Sequence, residues 1–182
     1  RPWPLFRDGH IAGSLHCPLN ANFTAVAGSY VTEREPIALI ASAAQVEQAV
    51  RCLVRIGLDR VDAFASPAAL EMFRAGGGLT ASPEVDVKTL RQQMDAGGAV
   101  VLDVRRASEF EAGHIEGAQN IAHTRLLARL AEVPRDKPIL VHCQGGARSA
   151  FATAMLERAG IRATNVAGGF GAWEKAGLPT VR

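Results

Sequence analysis

The sequence predicts an α/β protein built from two copies of one unit. Each copy is expected to be a mostly parallel sheet flanked by helices on both faces, with the first copy lacking its N-terminal strand. Three observations point there. Phe6-Arg7-Asp8-Gly9-His10-Ile11-Ala12-Gly13 reads against Phe110-Glu111-Ala112-Gly113-His114-Ile115-Glu116-Gly117, a shared F-x-x-G-H-I-x-G. In the second half, short continuous apolar runs alternate with stretches of helical spacing, the mark of strands buried on both faces. Between the copies, Gly76-Gly77-Gly78-Leu79-Thr80-Ala81-Ser82-Pro83 has the composition of a linker. The expected division is therefore 1–75, a linker over 76–83, and 84–182.

In the first copy, Leu15 to Leu19, Ile37 to Ile40 and Arg60 to Phe64 read as strands, and Ala43 to Ile56 as an amphipathic helix. The repeat sets Arg1 opposite Arg105, so the strand equivalent to Val100–Val104 would precede residue 1. A sheet without that strand exposes apolar faces and unpaired backbone, so a preceding segment of the polypeptide is expected to complete this copy. In the second copy, Ala99 to Val104 and Pro138 to His142 read as buried strands. Thr124 to Ala131 has helically spaced leucines, and Ser149 to Ala159 is a helix stopped by Gly160. Thr164 to Val166 is a short strand, and Phe170 to Lys175 a last helix closed by Gly177. Glu35-Pro36-Ile37-Ala38-Leu39-Ile40 against Lys137-Pro138-Ile139-Leu140-Val141-His142 continues the repeat.

Composition narrows the function classes. With 48% apolar and 21% charged residues the chain can bury a core, and its net charge of +2 lacks the basic excess of a nucleic-acid binder. Residues 1–82 carry 7 basic and 7 acidic side chains, and the rest 13 and 11, so neither half is a polyanion clamp. No apolar run approaches the ~20 residues of a membrane span. The cysteines Cys17, Cys52 and Cys143 are too few and odd in number for a disulfide framework, which points to a reducing, cytoplasmic setting. None of the five histidines forms a cluster with Cys, Asp or Glu at metal-ligand spacing, so no metal is expected.

One segment carries chemistry: His142-Cys143-Gln144-Gly145-Gly146-Ala147-Arg148-Ser149. A cysteine stands at the carboxyl end of a buried strand, a glycine-containing loop follows, and a helix is expected to start at Arg148 or Ser149. Ligands bind open α/β sheets at such strand ends. Amides of the turn and the helix N-terminus form an anion nest there, and Arg148 adds a positive charge and can brace loop carbonyls. These features favour thiolate, the nucleophilic form of cysteine. Cys17 and Cys52 have no such surroundings and read as small core residues.

The ordered landmarks are Leu102-Asp103-Val104-Arg105, Glu109-Phe110-x-x-Gly113-His114-Ile115-x-Gly117-Ala118, Asn120-Ile121, Val141-His142-Cys143-x-x-x-x-Arg148-Ser149, Val166-x-Gly168-Gly169, Trp173 and Gly177-x-Pro179. In this set, residues 83–182 resemble the rhodanese superfamily of sulfurtransferases. The resemblance implies that Cys143 accepts a sulfane sulfur as a persulfide held by backbone N–H groups of Gln144, Gly145, Gly146, Ala147, Arg148 and Ser149. Asp103 and Arg105 are expected to support the loop, His114 and His10 to anchor a turn, and Trp173 to pack on the core. The implied partners are a small-molecule sulfur donor, thiosulfate or a glutathione-type persulfide, and a thiol or cyanide acceptor, with no cofactor required. Phosphatases of this fold use C-x5-R. The four residues between Cys143 and Arg148 make the tighter loop that fits one sulfur, leaving phosphatase the minor reading. Glu109 and Glu111 are expected to put negative charge near the cleft and to disfavour dianionic thiosulfate.

Opposite Cys143 the first copy offers Ile40 or Ala41, so it looks like a silent rhodanese-like domain. A silent copy followed by an active one resembles the C-terminal part of fusions whose upstream domain has the metallo-β-lactamase fold. Pro36 to Ile40, Val46 to Val50 and Ile56 to Val61 resemble that family as well. An upstream domain of that kind, in a persulfide dioxygenase or hydrolase, is the alternative setting for this chain.

Overall fold

The repeated motif builds one turn twice in the computed structural model, which describes all 182 residues. In the first turn α1 (Trp3–Arg7) leads into β1 (His10–Ile11), and the Phe6 and His10 rings stack 4.1 Å apart with His10 Nδ1 3.0 Å from the Phe6 carbonyl. In the second, Phe110 and His114 stack at 3.7 Å with the same 3.0 Å contact from Nδ1 to the Phe110 carbonyl. Gly13 and Gly117 close the two turns at φ +79° and +76°, a left-handed conformation that favours glycine.

The chain divides into two units, residues 1–12 with 17–81 and residues 13–16 with 82–182. In the first, α2 (Phe23–Tyr30), β2 (Ile37–Ile40), α3 (Ala43–Val54) and β3 (Val61–Ala65) follow β1, and α4 (Ala69–Ala75) leads to β4 (Leu79–Thr80). Strands β2 and β3 are parallel, joined through α3, whose start is fixed by a Ser42–Gln45 capping box. Phe23, Ala27, Ala49, Leu53 and Leu58 make the core, with Ala49 and Leu53 one helical turn apart on α3.

This unit differs from the expected sheet. It holds two separate two-stranded ladders, and the β1–β4 pair is antiparallel, with His10 opposite Thr80. Leu15 to Leu19, which straddles the two units, is not a strand: Pro18 has no N–H to give a ladder, and the segment joins none of the sheets. Of the expected 76–83 linker, Leu79 and Thr80 are β4. Gly77 at φ +70° follows α4 as Gly177 at φ +68° follows the last helix. With two strands the β2–β3 ribbon stays open, and Phe64 on β3 is 56% exposed. Every large apolar side chain exposed on the surface (Leu5, Val54, Ile56, Phe64, Met72 and Phe73) belongs to this unit.

The second unit comprises β5 (Glu84–Val85), α5 (Val87–Asp95), β6 (Val100–Asp103), α6 (Ala107–Ala112), β7 (Gln119–Asn120), β8 (Ile139–His142), α7 (Ala147–Arg158), β9 (Ala163–Val166) and α8 (Gly169–Lys175). Its five strands are all parallel, in the order β5-β9-β8-β6-β7. Alternation along the strands sends Val101, Leu140 and Val166 to one face, where they pack with Leu90 of α5 and Phe170 and Trp173 of α8. Helix α7, buried over most of its length, covers β8 and β9. The C-terminal tail is tied down by paired backbone bonds of 2.9 Å between His114 and Val181.

The helix expected over Thr124 to Ala131 does not form. Two 3₁₀ turns, His123–Arg125 and Leu130–Glu132, flank a turn whose bonds run mostly from i to i−3. Only Leu126 and then Val133 reach the core, seven residues apart, so no continuous apolar stripe holds a helix against the sheet. No helix in the structure is long and apolar enough to cross a membrane.

Candidate active site

The four residues of β8 are fully buried between two neighbouring strands, so the chain that leaves the strand's carboxyl end is positioned by the core itself. Cys143 follows at once and is 1% exposed. The loop turns at Gly146, where φ is +102°, and α7 starts at Ala147, slightly earlier than expected. This geometry aims the helix start at the sulfur: the Gly146 N–H donates to Sγ over 3.1 Å and the Ser149 hydroxyl lies 3.6 Å from it. The same hydroxyl is 3.1 Å from the Gly146 carbonyl, so its one proton serves either the sulfur or the loop. An anion on Cys143 therefore sits at the positive end of a 12-residue helix.

The start of α8 clamps the loop from outside. Phe170 N–H donates to the Cys143 carbonyl (2.7 Å) and Gly171 N–H to the Gln144 carbonyl (2.9 Å). The approach is so close that a Cβ on Gly169 would lie 2.2 Å from the Cys143 oxygen. Sequence reading marks Gly168-Gly169 as a landmark without a role. Two glycines between a strand and a helix signal such a backbone approach.

Behind the loop, Arg105 and Asp103 form a buried pair. The Arg105 Nη2–H donates to Asp103 Oδ2 over 2.6 Å and Nε–H to the same oxygen over 2.9 Å. Arg105 also donates to the Gly113 carbonyl (2.9 Å), reaches Gln144 Oε1 (3.4 Å) and lies 3.9 Å above the Phe170 ring. One guanidinium thereby joins β6, the end of α6, the cysteine loop and α8. His142 is enclosed beside it, with Nε2 3.7 Å from Asp103 Oδ2, and burial pushes its imidazole below the ordinary histidine range, keeping it neutral. Removing one partner of a buried ion pair leaves the other charge stranded. Asp103→Ala is expected to cost about 3–5 kcal/mol of stability in urea unfolding; a loss under about 1 kcal/mol would show that Arg105 finds another acceptor.

Arg148 departs from the expectation that it braces loop carbonyls. Its guanidinium is forked onto Glu109 of α6, with bonds of 2.6 and 2.8 Å. Glu109 also accepts the Arg106 N–H at the start of that helix. The Arg148 guanidinium, outweighing the cost of burial, holds the Glu109 carboxyl at about 2, against an ordinary 4.5. The sign follows from a depressed carboxyl. The pair's contribution is complete above about pH 4.5 and is lost as pH falls toward 2. An NMR titration of the Glu109 carboxyl should therefore show a midpoint near 2, and a midpoint near 4.5 would mean that the pair does not form.

An open cleft of about 280 Å³ adjoins the loop, lined by Arg105, Glu109, Ala112, Gly113, Gln144, Phe170 and Glu174. Glu111, expected near the cleft, is not among its lining residues and is exposed. The other thiols lie in different surroundings. Cys17 is half-buried with its Sγ 3.5 Å from the Phe23 carbonyl, and burial pushes it up to about 12. It stands in a loop, not at a strand end.

Residues 86–176 match the family model described as the rhodanese-like domain. The chain belongs to the rhodanese-like family. Within this family, a protein named sulfurtransferase from Allochromatium vinosum is 34% identical over 100 residues, covering 54% of this chain and 94% of that protein. A probable adenylyltransferase/sulfurtransferase MoeZ of Mycobacterium tuberculosis is 36% identical over 110 residues, 58% of this chain but 27% of that protein. The crystal structure of a rhodanese-related protein from Thermoplasma volcanium superposes with a TM-score of 0.52 at 31% identity, covering 54% of this chain and 97% of that one. The rhodanese-like match falls within the second unit, which holds the α/β fold with a parallel sheet and the cysteine loop.

Proposed function

We propose that this protein is a sulfurtransferase that carries a sulfane sulfur on Cys143. The observation that supports this most is the seating of Sγ at the start of α7, with the Gly146 N–H 3.1 Å away and the Ser149 hydroxyl at 3.6 Å. In the first step the Cys143 thiolate attacks the outer sulfur of thiosulfate or of a persulfide. The donor's S–S bond breaks, sulfite or a thiolate leaves with the electron pair, and Cys143 becomes Cys–S–S⁻. In the second, a thiolate or cyanide attacks the terminal sulfur, and the Cys143 thiolate is regenerated. No electron donor or acceptor is consumed. The loop amides and the helix end stabilise the persulfide anion without reorganising. Asp103 and Arg105 act as positioning residues that hold Gln144 and, through Phe170, the loop carbonyls. Mass spectrometry after donor treatment should show an adduct of about +32 Da on Cys143. Labelling confined to Cys17 or Cys52 would overturn the proposal.

The short loop supports this over the phosphatase reading, since four residues separate Cys143 from Arg148 and the guanidinium is engaged by Glu109. We further propose that the first unit is a silent copy. Its β2 is followed by only Ala41 and Ser42 before α3, whereas β8 is followed by Cys143 to Gly146, and no thiol stands there. One edge of β2 is free where β8 pairs with β6, and an extended strand from the same polypeptide fits that edge. A second setting we propose is an upstream metallo-β-lactamase-fold domain, with this chain as its sulfur-relay or accessory region. Sequencing the transcript ahead of the Arg1 codon tests it.

A further inference from the structure

We propose that the cleft beside Cys143 selects donors by charge, taking alkyl persulfides that carry an ammonium group in preference to anionic donors such as thiosulfate, with Glu109 and Glu174 as the residues that set this preference. The inference rests on the sulfurtransferase reading and concerns the donor alone.

Arg105 and Arg148, the guanidiniums bonded within the site, are both held by carboxylates. Arg105 is 1% exposed and bonded to Asp103 over 2.6 Å. Arg148 is forked onto Glu109, whose carboxyl, held at about 2, is ionised throughout the physiological range. The loop between Cys143 and Arg148 adds no charge, since its residues are Gln144, Gly145, Gly146 and Ala147. Glu174 on α8 lines the same cleft, is exposed and takes part in no ion pair, so the charged residues lining the cleft, Arg105, Glu109 and Glu174, are two carboxylates to one guanidinium.

A dianion entering here meets that charge with the amides, the helix end and an Arg148 shared between Glu109 and Cys143 to offset it. An alkyl persulfide brings one negative charge, on the outer sulfur that the Cys143 thiolate attacks. An ammonium group two or three carbons away adds a positive charge that the cleft's carboxylates, Glu109 and Glu174, attract. One uncompensated charge at this range is worth roughly tenfold in relative binding.

The test uses the full chain and donors that differ in charge. Cys143 loading is followed by mass spectrometry with 2-aminoethyl persulfide, 2-carboxyethyl persulfide and thiosulfate. The wild type is expected to load from the aminoethyl donor about tenfold faster than from its carboxyethyl twin. Glu174→Gln and Glu109→Gln should each shrink that ratio several-fold and raise thiosulfate use relative to the aminoethyl donor. Residue 174 is on the surface, and glutamine at 109 still accepts the Arg106 N–H but gives up the ion pair with Arg148, so thermal unfolding is recorded beside loading for both variants. Equal loading from the two persulfides, or ratios unmoved by both substitutions, overturns the charge selection while leaving the sulfur-transfer reading standing. If no donor loads Cys143, the sulfur-transfer reading falls and the selection with it.

Discussion

Cys143→Ser is expected to lower sulfur transfer by roughly 10³-fold or more and to abolish the persulfide adduct. Both reaction steps pass through the Cys143 sulfur, and a serine oxygen cannot hold a sulfane sulfur in exchangeable form. The fold should survive the change. The hydroxyl is close to the thiol in size, and the Gly146 N–H that donates to Sγ can donate to Oγ instead. Unchanged thermal unfolding together with lost transfer would place the effect on chemistry. Substantial transfer by this variant would overturn the role assigned to Cys143, and the same measurement on Cys17→Ser and Cys52→Ser should show wild-type rates.

Gly169→Ala is expected to have the second largest effect, through the backbone rather than the chemistry. An added Cβ would lie 2.2 Å from the Cys143 oxygen and about 3 Å from the carbonyl carbons of Cys143 and Gln144, at a residue whose φ is +54°. Backbone atoms cannot swing aside as a flexible side chain does, so the loop and the start of α8 must separate. The 2.7 Å bond from Phe170 N–H to the Cys143 carbonyl then breaks. Strain and overpacking together cost about 2–4 kcal/mol, and displacing the sulfur by about 1 Å costs roughly 10²-fold in rate. Gly160→Ala is the control. It has φ +74° with nothing within 4 Å, so it should lose about 1 kcal/mol and keep its activity. Equal behaviour of the two variants would show that backbone strain, not the contact with Cys143, sets the cost.

Much of the second unit was legible because its strands are buried on both faces and therefore read as unbroken apolar runs. Val100 to Asp103 and Ile139 to His142 fall within the stretches expected. Helix α7 was legible through Gly160, which ends it at φ +74°, and the two F-x-x-G-H turns through their local ring-to-carbonyl contacts. Local signals misled where a partner decides the outcome. Leu15 to Leu19 has strand-like residues but joins none of the sheets. Thr124 to Ala131 has leucines at helical spacing but little core to face. Leu79 and Thr80, placed in a linker by the glycines before them, find His10 and Ile11, some 70 residues away in the chain.

The sequence by itself determined which thiol stands at a buried strand's carboxyl end and what surrounds it. The strand, the two glycines, the arginine and the helix start are consecutive, and their geometry follows from backbone preferences acting over a few residues. The tertiary structure alone decided which charges remain free near that thiol. Glu109 is 39 residues from Arg148, yet it claims the guanidinium that the loop was expected to use. Gly169 is 26 residues beyond Cys143 by number, and its missing side chain lets α8 grip the loop. An ion pair and a backbone approach depend on distance in space, which falls off from no pattern along the chain until the sheet brings β6, β8 and β9 side by side.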